Sequence, residues 1–352
     1  MRAWVLVLLL GACAPLSNRQ ESEKPQIPFA DTGPWDALLL EEGGRKYLIA
    51  SLHGENALGL WDLEGLKELG RYPEAGYHPD GLCPWEGSRL VLAAEGERQV
   101  QLWRLESGKL KLEKALPAPF PVRDVLAWDL DLDGQRDLVL TPYAGAQVVI
   151  WWGKGEFEFT ASTLEAAPTP WHAAVIDWNR DNLPDLVWSD WDSGSIRVQL
   201  NLGQRQFTAE FLQPQSPGSP RQVAVGDVDG DGQEDVVAAL ETGKAARVFY
   251  RRGNRVETED IPAPEWGYSS ALVLKDGTVA LGEEGRVILA KRDGGAWQLR
   301  QLPAGSLPSR LRAVEVNGDG IDDLLVVNSA GPGINLHLGP LWEKAKPILS
   351  GK

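Results

Sequence analysis

Short apolar runs of strand length recur along the chain, separated by polar turns rich in Gly, Pro and Asp. Ala37-Leu-Leu-Leu40 precedes Tyr47-Leu-Ile-Ala50. Leu90-Val-Leu-Ala93 precedes Val100-Gln-Leu-Trp103, and the same outline continues through Leu138-Val-Leu140, Leu186-Val-Trp188, Val236-Val-Ala238, Thr278-Val-Ala-Leu281 and Leu324 to Asn328. Runs this short, enriched in branched and aromatic residues and closed by turn formers, read as β-strands. They group into units of about four strands that end in similar proline-marked segments, as in Leu116-Pro-Ala-Pro119, Ile261-Pro-Ala-Pro264 and Leu302-Pro-Ala304. Proline suits the end of an edge strand because it has no N–H to donate.

Within four of these units a second pattern is superimposed. Asp129, Asp131, Asp133, Gly134 and Asp137 occupy alternate positions, a turn position and a closing position. The spacing returns at Asp177, Asn179, Asp181, Asn182 and Asp185, at Asp227, Asp229, Asp231, Gly232 and Asp235, and at Glu315, Asn317, Asp319, Gly320 and Asp323. Oxygen ligands at positions one, three, five and nine, a backbone carbonyl at seven and a residue tolerant of positive φ at six suit the wrapping of a hard cation. Ca2+, with six to eight oxygen ligands in a flexible shell, is the natural candidate. An EF-hand would carry Glu at position twelve between helices. Here that position holds Leu140, Trp188, Ala238 or Val326, and the flanks are strands.

The first ligands are separated by 48, 50 and 88 residues, the last interval being twice 44. A unit without carboxylates, from Ser270-Ala-Leu-Val-Leu274 through Lys275-Asp-Gly277 to Thr278, fills the gap, and two more precede the first loop. Seven units of 40–50 residues with four strands each predict an all-β fold, a single seven-bladed β-propeller of four-stranded blades. The blades are expected near residues 35–75, 76–118, 119–167, 168–215, 216–264, 265–305 and 306–349, within a domain of 27–352. Trp128, Trp151, Trp178 and Trp188 are expected in the core between blades. Either Lys346 to Leu349 or Pro25 to Pro28 can supply the outer strand that closes the last blade.

The aspartate loops resemble FG-GAP or VCBS repeats, found in integrin α-subunit propellers and many exported bacterial proteins. The resemblance spans roughly residues 27–349 and is strong in blades three, four, five and seven. It implies three to four structural Ca2+ ions held between the first and second strands of a blade by Asp129, Asp131, Asp133 and Asp137, by Asp177, Asn179, Asp181 and Asp185, and by Asp227, Asp229, Asp231 and Asp235. Glu315 departs from the usual aspartate beside Asn317, Asp319 and Asp323, and the Phe-Gly and Gly-Ala-Pro words of the family name are absent.

Residues 1–12 read as a signal peptide, with Arg2 followed by the apolar run Trp4 to Leu10. Leu10-Gly-Ala-Cys13 resembles a bacterial lipobox, which implies lipidation at Cys13, a polar tether over 13–26, and an exported protein whose membrane contact is its lipid anchor. Cys83 then has no partner for an intramolecular disulfide and is expected in the core.

Fifty acidic against 35 basic side chains give a formal charge of -15, which excludes a general nucleic-acid binder. Fourteen of the sixteen predicted ligand side chains are carboxylates, so the loops account for most of that excess. No nucleophile elbow, phosphate loop, dinucleotide fingerprint or His-Glu-x-x-His helix is present, and the chain has four histidines. On the ring face opposite the aspartate loops, Arg123, Trp171, His172, Arg221, Trp266, Tyr268 and Arg310 surround the expected channel mouth. They form either a site for an acidic sugar or peptide, or a cap on the channel. The expected function is a monomeric binding or scaffold module for a protein or glycan. The alternative is a carbohydrate-active enzyme, similar to a polysaccharide lyase, built on a calcium-bearing propeller.

Overall fold

A computed structural model describes residues 33–166, 168–213, 218–331 and 333–348. The expected signal peptide and tether, with Cys13 and Pro25 to Pro28, lie outside the described residues. Seven antiparallel sheets follow one another along the chain, six of them with four consecutive strands. Their first strands, Asp36–Glu42, Pro79–Pro84, Val122–Trp128, Pro170–Ile176, Pro220–Gly226, Ser270–Val273 and Pro308–Val314, line the axis and touch their neighbours around it. The chain is a seven-bladed β-propeller, as its repeat period predicts. Among the described residues no helix is long and apolar enough to cross a membrane.

The middle strands read as continuous apolar runs because both faces of each blade are buried. In Arg89–Ala94, Leu90, Leu92 and Ala94 pack toward blade one, while Val91 and Ala93 pack toward blade three. The same division recurs around the ring. Seven apolar clusters each straddle one junction between blades, and the last joins Leu325, Val327 and Ile334 of blade seven to Ala37, Leu48 and Trp61 of blade one. At roughly 25 cal/mol per Å2 of apolar surface, this shared burial dominates the stabilisation of the ring. Trp151, Trp178, Trp188 and Cys83 are buried, as expected. Trp128 is 48% exposed: it ends its strand opposite Asp137, where the chain leaves the sheet for an aspartate loop.

Blade seven differs from the expectation for its outer strand. Among the described residues it has three strands, Pro308–Val314, Asp323–Asn328 and Ile334–His337. Lys346–Pro347 pairs with Ala296–Pro303 of blade six, placing Pro347 opposite Arg300 and Lys346 opposite Gln301. The short helix Leu341–Lys344 redirects the chain, because Leu341 and Ala345 bury themselves in the core shared by blades six and seven.

Candidate functional site

The four aspartate loops all join the first strand of a blade to the second and therefore share one face of the ring. Their geometry is set by side chains folding back on their own backbone. Asp129 accepts the N–H groups of Asp133 at 3.1 Å and Gly134 at 2.9 Å. Asp177 does the same for Asp181 and Asn182. Asp133, Asp181, Asp231 and Asp319 each accept the N–H two residues on. The sixth position has positive φ throughout, with Gly134 at 87°, Asn182 at 65°, Gly232 at 81° and Gly320 at 75°. The fourth position does too, at Leu132, Arg180, Gly230 and Gly318, which the ligand spacing alone did not reveal. Two left-handed residues in one short loop curl it around its own carboxylates.

The closing aspartates are fully buried and anchor each loop to its blade. Asp137 accepts Leu130 N at 2.8 Å and Gly153 N at 2.8 Å, Asp185 accepts Trp178 N and Asn201 N, and Asp323 accepts Val316 N and Gly339 N. Asp235 accepts Val228 N through one oxygen, and its other oxygen is buried with no partner among the described residues. Burial raises three of these carboxyls, Asp137 and Asp185 to about 6 and Asp235 to about 7, and the neighbouring loop aspartates push in the same direction.

Carboxylate oxygens of Asp129, Asp131 and Asp137 lie within 4.8 Å of one another, as do those of Asp227, Asp229 and Asp235. Positive side chains already lean on these clusters. Arg205 reaches Asp131 at 2.6 Å, and Arg252 contacts Asp229 and Asp231. An all-oxygen donor set, an orphaned buried oxygen on Asp235 and a loop curled by two left-handed residues fit a hard cation in blades three and five. Asp177, Asn179, Asp181 and Asp185 repeat the backbone pattern with one neutral donor. The Glu315 loop is different: Lys46 of blade one donates to the carbonyls of Glu315 at 2.7 Å and Val316 at 3.1 Å and lies 3.5 Å from the Glu315 carboxylate.

The opposite face carries the mouth of the channel. Bulges follow the first residue of the inner strand in blades four, five and seven, and the inner strand of blade three is irregular at the same level. A bulge re-aims the side chains beside it. Arg123, Trp171, His172, Arg221 and Arg310 consequently converge around a cavity of about 10 Å3, room for one water. The Arg123 guanidinium lies 3.8 Å from the Trp171 ring centre. Arg221 pairs with Glu241 at 2.9 Å, and Arg310 pairs with Asp124 at 3.1 Å and Asp36 at 3.5 Å. Trp266 and Tyr268 do not line this cavity. Trp266 is 60% exposed, whereas Tyr268 is buried with its hydroxyl on the carbonyl of Pro262.

The partners of these cations escaped the sequence reading. Asp36, Asp80, Asp124, Gln222 and Ser270, unnamed in that reading, share a level near the start of the inner strands with His172 and Arg310, which it did name, one residue per blade. Their signal was a polar residue at the head of an apolar run. Asp36 is the hub: it accepts Arg312 through both oxygens, at 3.0 and 2.6 Å, and Leu82 N at 2.9 Å. Burial alone would raise its carboxyl, but Arg310 and Arg312 hold it below the usual range. Burial lowers His172 to about 4, and Arg310 adds to that effect.

A further cluster sits where blades one and two meet on this face. His53 Nδ1 lies 2.7 Å from Asp80, His53 stacks on His78 at 4.1 Å, and Tyr77 stacks on His78 at 3.7 Å. Burial raises Asp80 to about 7 and Glu95 to about 8, and the two carboxyls contact one another.

Ring and loops together define a repeat propeller with acidic turns on one face and a plugged, aromatic-rimmed channel mouth on the other. Residues 129–188 and 177–238, in blades three to five, match the FG-GAP-like repeat family, so this part of the propeller carries FG-GAP-like repeats. No curated protein matches the sequence. Among solved structures, Kuenenia stuttgartiensis hydrazine synthase is similar over 93% of this chain and 100% of its own, at 11% identity and a TM-score of 0.65. The RRP9 WD40 repeats align over 90% of this chain and 97% of their own, at 14% identity and 0.66. A catalytically inactive virginiamycin B lyase from Staphylococcus aureus, with quinupristin, aligns over 90% and 99%, at 14% identity and 0.61. At these identities the likeness concerns the fold alone.

Proposed function

We propose that this chain is an exported, lipid-anchored propeller, stabilised by Ca2+, that acts as a binding or scaffold module for a protein or glycan. The observation that carries the reading is the division of labour on the face opposite the aspartate loops. Its centre is filled by paired charges, while Tyr77, Tyr143 and Trp266, each about half exposed or more, stand around it with the half-buried Trp171 and Trp191. Aromatic faces with polar tips suit sugar rings and peptide side chains. A mouth filled by ion pairs leaves the rim, rather than a deep pocket, as the contact surface.

Asp129, Asp131, Asp133 and Asp137 would hold one Ca2+, Asp177, Asn179, Asp181 and Asp185 a second, and Asp227, Asp229, Asp231 and Asp235 a third. Bound Ca2+ supplies charge neutralisation and rigidity to the loops. In the fourth loop the Lys46 ammonium takes over much of that neutralisation beside Glu315.

The test is a glycan and peptide binding panel read with the wild-type protein and with Trp266→Ala and Tyr143→Ala. Binding weakened about five- to thirtyfold by these exposed substitutions is expected, in line with the loss of an aromatic contact of about 1–2 kcal/mol. Binding unchanged in both variants overturns the rim assignment.

A further inference from the structure

We propose that His53, His78 and Glu95, with Asp80 behind His53, form a site for one divalent transition cation of the zinc class, on the face opposite the aspartate loops. Three elements bring these residues together. His53 follows the second strand of blade one, His78 lies on the connection into blade two, and Glu95 follows Arg89–Ala94. One ligand atom from each lies within 4.8 Å of the others.

Tetrahedral bonds of 2.0–2.2 Å hold ligand atoms about 3.3–3.6 Å apart with the metal in each imidazole plane, so closing this shell requires one imidazole to turn out of the stack of His78 on His53 and Tyr77. His78 is placed to do so. Its side chain is partly exposed, while its backbone is fixed in the left-handed region at φ 50° by a bond from its N–H to Asn56 Oδ1 at 3.1 Å.

The second, independent observation is on the acidic side of the cluster. Asp80 and Glu95 are 1% and 8% exposed, and for the buried Asp80 Oδ2 and Glu95 Oε2 the described residues offer no partner beyond the other carboxyl of the pair. Two carboxylates in contact and sheltered from water repel one another unless a proton or a cation sits with them. A divalent ion held by Glu95 and the two imidazoles satisfies that charge. The Asp80 contact to His53 Nδ1 is the outer carboxylate that orients a ligating histidine and raises its basicity. Imidazole donors select zinc, copper or nickel over calcium and magnesium, so the chemistry is distinct from that of the all-oxygen loops. Two histidines and a glutamate leave a fourth tetrahedral position, reachable from solvent through the partly exposed imidazoles.

The experiment titrates Zn2+, by calorimetry, and Co2+, by visible absorption, into the protein held in excess Ca2+, which keeps the aspartate loops out of the measurement. One equivalent of Zn2+ and a Co2+ spectrum displaced by Zn2+ are expected. Affinity should fall at least tenfold in His78→Ala, a partly exposed position on a connection between blades, and about 10–100-fold in Asp80→Asn. It should be unchanged in Asp131→Asn. No saturable binding, a carboxylate pair satisfied by a proton alone, overturns the assignment. So does binding that survives in both His78→Ala and His53→Ala, or that is lost in Asp131→Asn instead.

Discussion

His172 shows how one side chain can serve as a lining group without serving as a charge. It faces Asp124 at 3.7 Å, with Arg310, Arg312 and Asp36 nearby, and its Nδ1 is buried without a partner among the described residues. Its folded-state value of about 4 lies below the ordinary 6.5, so the unfolded chain binds a proton that the folded chain refuses. The stabilising contribution is present above about pH 6.5 and is lost as pH falls toward 4, a change of roughly 3 kcal/mol. Urea unfolding of wild type and His172→Gln at pH 7 and pH 4 checks this. The wild-type advantage should shrink by that amount, and a constant difference would refute it. The residue was legible in the sequence as a polar position beside the channel. Its neutrality was not, because that depends on burial at the channel mouth and then on Arg310 arriving from another blade.

Among elements, the aspartate loop was the most legible, since its ligand spacing is local and repeats. Its anchoring was less so. That Asp137 grips Gly153, or Asp323 grips Gly339, follows from sheet register between the second and third strands, which a spacing of carboxylates does not encode. The exposure of Trp128 and the pairing of Lys346–Pro347 with blade six escaped for the same reason: both depend on where a strand ends in space. If Ca2+ completes three loops, its removal leaves clustered carboxylates facing one another. Chelation should lower the melting temperature by roughly 10 °C, taking each site as saturated about a hundredfold over its Kd. Elemental analysis should find three Ca2+ per chain before chelation. A melt unchanged in excess chelator would remove Ca2+ from the account.

For the molecule as a whole, the decisive junction joins blades seven, one and two. Asp36 of blade one takes Arg310 and Arg312 from blade seven, and Arg312 also donates to the carbonyl of Leu82 in blade two at 2.6 Å. One buried carboxylate thus ties the last blade to the first two. Asp36→Ala would leave the Arg312 guanidinium without its carboxylate and Arg310 with Asp124 alone, and should cost about 3–5 kcal/mol, far more than loss of a surface pair. Denaturant melts of this variant beside Glu68→Ala, which removes an exposed partner of Arg71, provide the comparison. Equal costs would show that the clasp is dispensable.

The seven apolar clusters, each shared across a junction, have a consequence for how the protein tolerates damage. No blade owns a core, so a single blade cut free would be a sheet with two oily sides and nothing to fold around. A break in a surface loop, by contrast, leaves every junction intact, and the nicked ring stays assembled through contacts the cut does not touch. An open solenoid can fray from its ends repeat by repeat. A ring whose first and last repeats share a core has no such end to fray from, and opening it anywhere exposes both sides of a junction at once.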